Sequence, residues 1–154
     1  MIGYQSFFSV LLASKFKYRT QTKEREGETV DHTVTYNKDL GYILTTFQGE
    51  LDKSMVTEII NKALDLCAEH NCNLILSDYR NVKLELSTLN IYDVPNIILK
   101  EASKRDIAIH RVKRSMILKQ ESSDLQFFEN VSFNRGQNVR IFYDFEEAQS
   151  WLLE

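Results

Sequence analysis

The sequence is poor in residues that break or staple a chain, with one proline, five glycines and two cysteines among 154 residues. So little proline and glycine leaves no room for a long flexible linker, and two cysteines cannot build a disulfide scaffold. Cys67 and Cys72, with His70 between them, give three ligands at most where zinc takes four, and no second Cys/His pair occurs elsewhere. Cys67 also falls on the apolar face of a predicted helix, the usual place for a reduced, buried thiol, so neither metal nor cofactor is expected. Long apolar runs are missing too. The stretch from Ile2 to Ala13 is shorter than the roughly 20 residues that span a bilayer. No basic segment precedes it and no small-x-small cleavage site follows, which argues against both a membrane span and a signal peptide. Nor is there an excess of one charge: 19 basic against 22 acidic residues give a net charge of -3, so the overall field favours neither nucleic acid nor an anionic membrane. A Gly-rich phosphate loop, a Gly-x-Ser-x-Gly elbow and an HExxH zinc motif are all lacking. These absences leave a cytoplasmic globular domain as the expectation.

What is present is a regular alternation of strand and helix signals. Val30 to Tyr36 and Tyr42 to Phe47 alternate and are rich in β-branched residues around a turn at Asn37–Gly41, which predicts a β-hairpin. Apolar residues from Met55 to Cys67 recur at three- and four-residue spacing, predicting a helix over Asp52–His70 that stops at Asn71. Asn73 to Tyr79 carries apolar residues in succession, as a central strand covered on both faces does. Pro95 is tolerated only near a helix start, so the next segment reads as two helical pieces, Thr88–Tyr92 and Val94–Lys104. A strand over Arg114–Lys119 leads to Ser123–Gln126, which has the form of a capping box; Leu125, Phe128 and Val131 face inward and Gly136 closes the helix. The strand Val139–Tyr143 then feeds a last helix opened by Asp144, with Ala148, Trp151 and Leu152 as its buried face. The order β-β-α-β-α-β-α-β-α predicts a single mixed sheet, an N-terminal antiparallel hairpin followed by parallel βα units with packed helices. Residues 1–28 read as an appendage, with a charged connector from Lys15 to Glu28, and residues 29–154 as the α/β domain. The apolar start of the appendage predicts self-association, with a homodimer as its expected form.

Leu74 to Val82 (LILSDYRNV), Tyr92–Pro95, Phe127–Val131 and Val139–Leu152 (VRIFYDFEEAQSWL) together resemble the STAS-like family, the sulfate transporter and anti-sigma factor antagonist group. The similarity is to its bacterial branch related to the CRAL-TRIO lipid-binding fold. It spans about Val30 to Leu153 and implies a small α/β domain that binds a ligand or another protein, without an established reaction. Anti-sigma antagonists carry a phosphorylatable serine in an Asp-Ser-Ser-Gly-like element after the central strand. Here that place is Leu86-Ser87-Thr88-Leu89, without the Asp and the Gly. Ser87 and Thr88 are therefore read as helix caps before phosphoacceptors.

The working surface is expected where the central strand ends in Ser77-Asp78-Tyr79-Arg80-Asn81, since ligands gather at the carboxyl ends of strands in open α/β sheets. Asp78 and Arg80 are two apart, so they share a face and either bind a polar ligand jointly or pair with each other. Tyr79 is expected to point the other way, into packing. The basic residues Lys104, Arg105, His110, Arg111, Lys113 and Arg114 read as a solvated helix end and strand entrance. The aromatics Phe127, Phe128, Phe133, Phe142, Tyr143, Phe145 and Trp151 read mostly as core, with a pocket between helices and sheet as the place for an apolar ligand. The expected function is a non-enzymatic binding or protein-interaction module using Asp78, Arg80, Ser87 and Thr88. The alternative is a carrier for a small apolar or lipid-like ligand, and a phospho-regulated switch ranks below both. An enzyme pairing Asp78 with His110 ranks last and requires the two to meet.

Overall fold

The computed structural model describes residues 31–84 and 88–154. Expectations about the appendage 1–28, its self-association and Ser87 lie outside the described residues, as does the side chain of Thr88. The described residues open on the expected hairpin, β1 (Asp31–Asn37) and β2 (Tyr42–Leu51), paired antiparallel from Asp31 opposite Gln48 to Asn37 opposite Tyr42. Its turn is fixed by Asn37, whose side-chain oxygen accepts from the backbone N–H of Asp39 and Leu40, both at 3.1 Å. Gly41 ends the turn at a φ of 72, where a side chain would be strained.

Helix α1 (Lys53–His70) starts at Asp52, whose carboxylate accepts from the Met55 N–H at 3.0 Å. It ends at Asn71 in the left-handed conformation with a φ of 48, as the sequence predicts. The three- and four-residue spacing buries Ile59, Ala63, Leu64 and Cys67 on one stripe. Fully burying an apolar side chain of this size contributes roughly 1.5–3 kcal/mol, which outweighs the weak helix preference of the β-branched residues.

Strand β3 (Leu74–Leu84) continues five residues beyond the predicted end at Tyr79. It pairs in parallel with β2 as far as Leu84 opposite Leu51, whereas its pairing with β4 (Lys113–Ile117) stops at Asp78 opposite Ile117. The polar cluster therefore lies inside a strand, at the point where it outruns one neighbour. Helix α2 (Thr88–Ser103) is continuous through Pro95, in place of the two predicted pieces. An interior proline costs about 3 kcal/mol in an isolated helix. Here its ring is fully buried and its carbonyl accepts from Gln137 Nε2 at 2.8 Å, tertiary contacts that offset the local cost. A short 3-10 turn (Ile109–Arg111) leads into β4. Helix α3 (Ser123–Asn134) is capped by Ser122, one residue before the predicted box, and Gly136 with a φ of 71 closes it. Strand β5 (Asn138–Phe142) and helix α4 (Phe145–Leu153) complete the chain, with the Asp144 carboxylate accepting from the Glu147 N–H at 3.0 Å.

The sheet order is β1-β2-β3-β4-β5, antiparallel between β1 and β2 and parallel elsewhere. Its two faces are covered unequally. Helices α1, α2 and α3 pack on one face around Ile43, Phe47, Ile75 and Met116, while α4 alone closes the other around Tyr42, Leu76, Ile117, Ala148 and Leu152. Three aromatics expected in the core are instead at the surface: Phe127, Tyr143 and Phe133 are 38%, 46% and 76% exposed. Phe127 and Phe133 lie on the outward side of α3, and Tyr143 falls in the bend between β5 and α4.

Candidate functional site

Strand alternation sorts the side chains of β3 between the two faces. Ile75, Ser77 and Tyr79 turn toward the three-helix face, while Leu76, Asp78 and Arg80 turn toward α4, where the Arg80 guanidinium stands 5.8 Å from the Phe145 ring centre. Between Asp78 and Asn81, β3 has two residues where β2 has one, a β-bulge at Tyr79-Arg80. The bulge shifts the alternation by one. Val82 packs into the core and the polar Asn81 stays exposed, the reverse of strict alternation beyond Tyr79.

Asp78 and Arg80 hold this bulge together. The Asp78 carboxylate accepts from the Arg80 backbone N–H at 3.1 Å, from Nε at 2.9 Å and from Nη2 at 2.7 Å. Partial burial alone pushes the Asp78 carboxyl up, but the three Arg80 contacts outweigh it and leave the group below the usual carboxylate value. Asp78 and Arg80, two of the four residues the sequence offered for binding, are thus engaged with each other. Thr88 opens α2 in the next element. Asp78 and His110 do not meet: Asp78 pairs with Ile117, roughly 13 Å along β4 from its start at Lys113, and His110 precedes that start.

The described residues line a partly open cavity on the opposite face, between α1, α2 and the sheet, with a volume of about 90 Å³. Most of its wall is apolar, with Phe47, Ile59, Leu64, Val94, Ile98 and Met116 among the residues that form it. A smaller space of about 40 Å³ shares Val56, Tyr79, Val94, Met116 and Phe128 with it and reaches toward α3. The polar part of the main wall is Thr45, Ser77, Tyr79 and Arg114. Thr45 donates to Ser77 at 2.8 Å, and Tyr79 stacks on Phe47 with ring centres 4.4 Å apart. Burial pushes the Tyr79 phenol up to about 12, against the opposing pull of Arg114 and Ser77, so it stays protonated and can donate.

Arg114 is the unexpected member. It is 8% exposed, its Nη2 donates to Gln137 Oε1 at 2.7 Å, and its Nε has no hydrogen-bond partner among the described residues. No carboxylate of the described residues pairs with it. Burial pulls its guanidinium down to about 10, which still leaves it cationic at neutral pH. Three of the other basic residues of its segment have local partners. Lys104 pairs with Glu101 and Arg105 with Asp65 and Glu101, and Lys113 donates to the Trp151 carbonyl and lies 4.3 Å from that residue's ring centre. Arg114 had a sequence signal. It is in phase with Met116 and Leu118, both buried, so alternation places a cation where β4 otherwise carries apolar side chains.

Cys67 and Cys72 are free and buried, and burial raises the Cys67 thiol to about 12. His70 stacks on Tyr36 at 4.0 Å. No group of three or more candidate metal ligands occurs among the described residues, and no helix there is long and apolar enough to cross a membrane.

No family model and no curated protein matches the sequence. Among solved structures, an anti-sigma factor antagonist from Mycobacterium paratuberculosis aligns with a TM-score of 0.50 at 9% identity, covering 85% of this chain and 100% of that one. An uncharacterised protein of the DUF3478 family from Shewanella loihica, described as having a SpoIIAA-like fold, aligns with a TM-score of 0.44 at 17% identity, over 86% and 99% of the two chains. At 9% identity the likeness to the first speaks for architecture only. The described residues, a five-stranded mixed sheet with an antiparallel first pair and four helices, have the STAS-like α/β fold.

Proposed function

We propose that this chain is a non-enzymatic STAS-like binding module that takes a small molecule into the cavity between α1, α2 and the sheet. The observation that carries this reading is the wall of that cavity, apolar over most of its surface yet holding a buried arginine with no carboxylate partner among the described residues. Pockets that bind small molecules have this composition, an apolar lining with a few fixed polar groups. The wall offers donors and no carboxylate or histidine, so it suits holding a ligand better than moving protons on one. Its volume corresponds to the space of on the order of six to nine waters, which fits a short organic molecule better than a long acyl chain. Of the two ligand classes in the sequence reading, the small apolar one is therefore preferred to the lipid-like one. Native mass spectrometry of gently purified full-length chain tests the proposal. A reproducible added mass that disappears on denaturation is expected, and a bare chain that also fails to take up added small organic molecules would count against it.

A second reading, a protein-interaction module, has its own observation. Tyr92 on α2 and Phe127 on α3 stack at the surface with ring centres 6.2 Å apart, and the Arg135 guanidinium lies 4.5 Å from the Tyr92 ring centre. Capture of a specific partner that Phe127→Ser abolishes, with the fold intact by circular dichroism, would favour this reading.

A further inference from the structure

We infer that the cavity ligand is a small organic anion, an apolar body ending in a carboxylate, with the carboxylate seated against Arg114 and Tyr79. The inference rests on the cavity reading above and adds the chemistry of the occupant. Removing a cation from water is costly unless it is paired, so a buried guanidinium with a single hydrogen bond to a neutral amide lacks its ordinary partner. The described protein does not supply that partner. Gln137 is itself held in place, since its amide donates to the Pro95 carbonyl at 2.8 Å, and it accepts from Arg114 through the oxygen that remains. This arrangement orients the guanidinium without neutralising it.

The neighbours of Arg114 fit the same conclusion. Arginine carries five N–H donors and no acceptor, the phenol of Tyr79 retains its proton, and Ser77, which accepts from Thr45, is itself hydrogen-bonded to the Tyr79 oxygen, leaving the phenol O–H to donate. The polar part of the wall is therefore rich in donors, and a carboxylate, which only accepts, complements it. A planar carboxylate also matches the fork of a guanidinium better than a neutral hydroxyl does. The rest of the wall is apolar, and the volume corresponds to a body of roughly six to nine non-hydrogen atoms. These features select short aliphatic or aromatic monocarboxylic acids over sugars, nucleotides and inorganic anions, which would bury further polar groups against hydrocarbon.

The test compares matched probes on the full 154-residue chain. Hexanoate, hexanamide and hexan-1-ol are titrated at neutral pH by calorimetry, with side-chain methyl NMR shifts at Met116 and Val94 reporting whether the probe enters the cavity. Hexanoate is expected to bind at least about tenfold more tightly than either neutral probe, as a charge-assisted hydrogen bond in a buried site implies. In Arg114→Met the preference for the acid should shrink to within about twofold, while hexan-1-ol still shifts Met116 and Val94. Equal binding of acid and alcohol by the unsubstituted chain would overturn the anion assignment and leave the cavity reading standing. Binding of none of the three would overturn both, the cavity then holding water alone. Hexanoate binding that leaves the cavity methyls unmoved, or that survives Arg114→Met undiminished, would place the anion elsewhere and also overturn the assignment. The probe comparison needs no variant, so a failure of Arg114→Met to fold does not rescue the inference.

Discussion

Arg80 and Arg114 lie on opposite faces of one sheet and are held in opposite ways. Arg80 is partly exposed, yet its guanidinium and its backbone N–H are both taken up by Asp78. Arg114 is buried, yet it has one neutral acceptor and a Nε with no partner among the described residues. The faces differ in the same sense. Against α4, Tyr42, Leu76, Ile117, Ala148 and Leu152 are all at most 2% exposed and form a closed layer. Against α1 to α3 a larger apolar cluster surrounds a cavity. One face pairs its arginine and packs its apolar residues closely, although the buried Ser115 Oγ there has no hydrogen-bond partner among the described residues, and the other leaves both a charge and a space. Under the proposal above, an occupant fills that space and neutralises that cation, whereas stability alone would be served by filling the space with protein.

The contrast is broken most severely by deleting a side chain on the closed face. Leu76→Ala removes a side chain of 0% exposure from the middle of the sheet and should cost about 2–5 kcal/mol in urea unfolding, because nothing nearby can collapse into the gap. A loss below about 1 kcal/mol would show that the α4 layer is no better packed than the cavity face. The next effect concerns the Arg114 relay. Gln137→Leu alone should cost about 1–3 kcal/mol, since it strips a buried guanidinium of its acceptor. Combined with Arg114→Met, the same substitution should cost little or raise stability above the parent, as replacing buried ionic groups by apolar ones often does. Such a cycle would show that Arg114 is retained against stability. Additive losses in the double variant would instead make Arg114 an ordinary structural residue.

Most of the architecture was legible in the sequence because it follows from periodicity and caps. The Asp52 and Asp144 caps, the stop at Asn71 and the antiparallel hairpin all depend on residues within a few positions of one another. The departures needed tertiary information. Pro95 sits inside a helix because packing and Gln137, 42 residues away, offset its cost. The strand runs on to Leu84 because β2 is long enough to pair with it. The site was legible only in part, since Asp78 and Arg80 announce themselves by spacing while a cavity arises from elements distant in sequence. Arg114 stood in a run of basic residues, and only its phase with Met116 and Leu118 set it apart from neighbours that form surface ion pairs.

The smallest expected effect is at the clasp on the filled face, and its pH dependence has a definite sign. Asp78 titrates below the ordinary carboxylate value because the Arg80 contacts outweigh the opposing effect of burial. A depressed carboxyl stabilises the folded state above its unfolded value, near pH 4, and loses that contribution as pH falls through the folded value. Asp78→Asn should therefore cost about 0.5–1.5 kcal/mol at neutral pH, a range kept low by the exposure of Arg80, and the deficit relative to the parent should shrink as the solution is acidified below about pH 4. The bulge itself gives a local readout. Hydrogen exchange of the Arg80 amide, which the Asp78 carboxylate accepts from, should quicken in Asp78→Asn while the amide of Leu76 keeps its protection. If the clasp only fixes the bulge, hexanoate affinity should change by less than about threefold, because Asp78 and Arg80 face away from the cavity. A tenfold loss would mean that the aim of Tyr79 depends on the bulge, coupling the satisfied arginine to the unsatisfied one through a single strand.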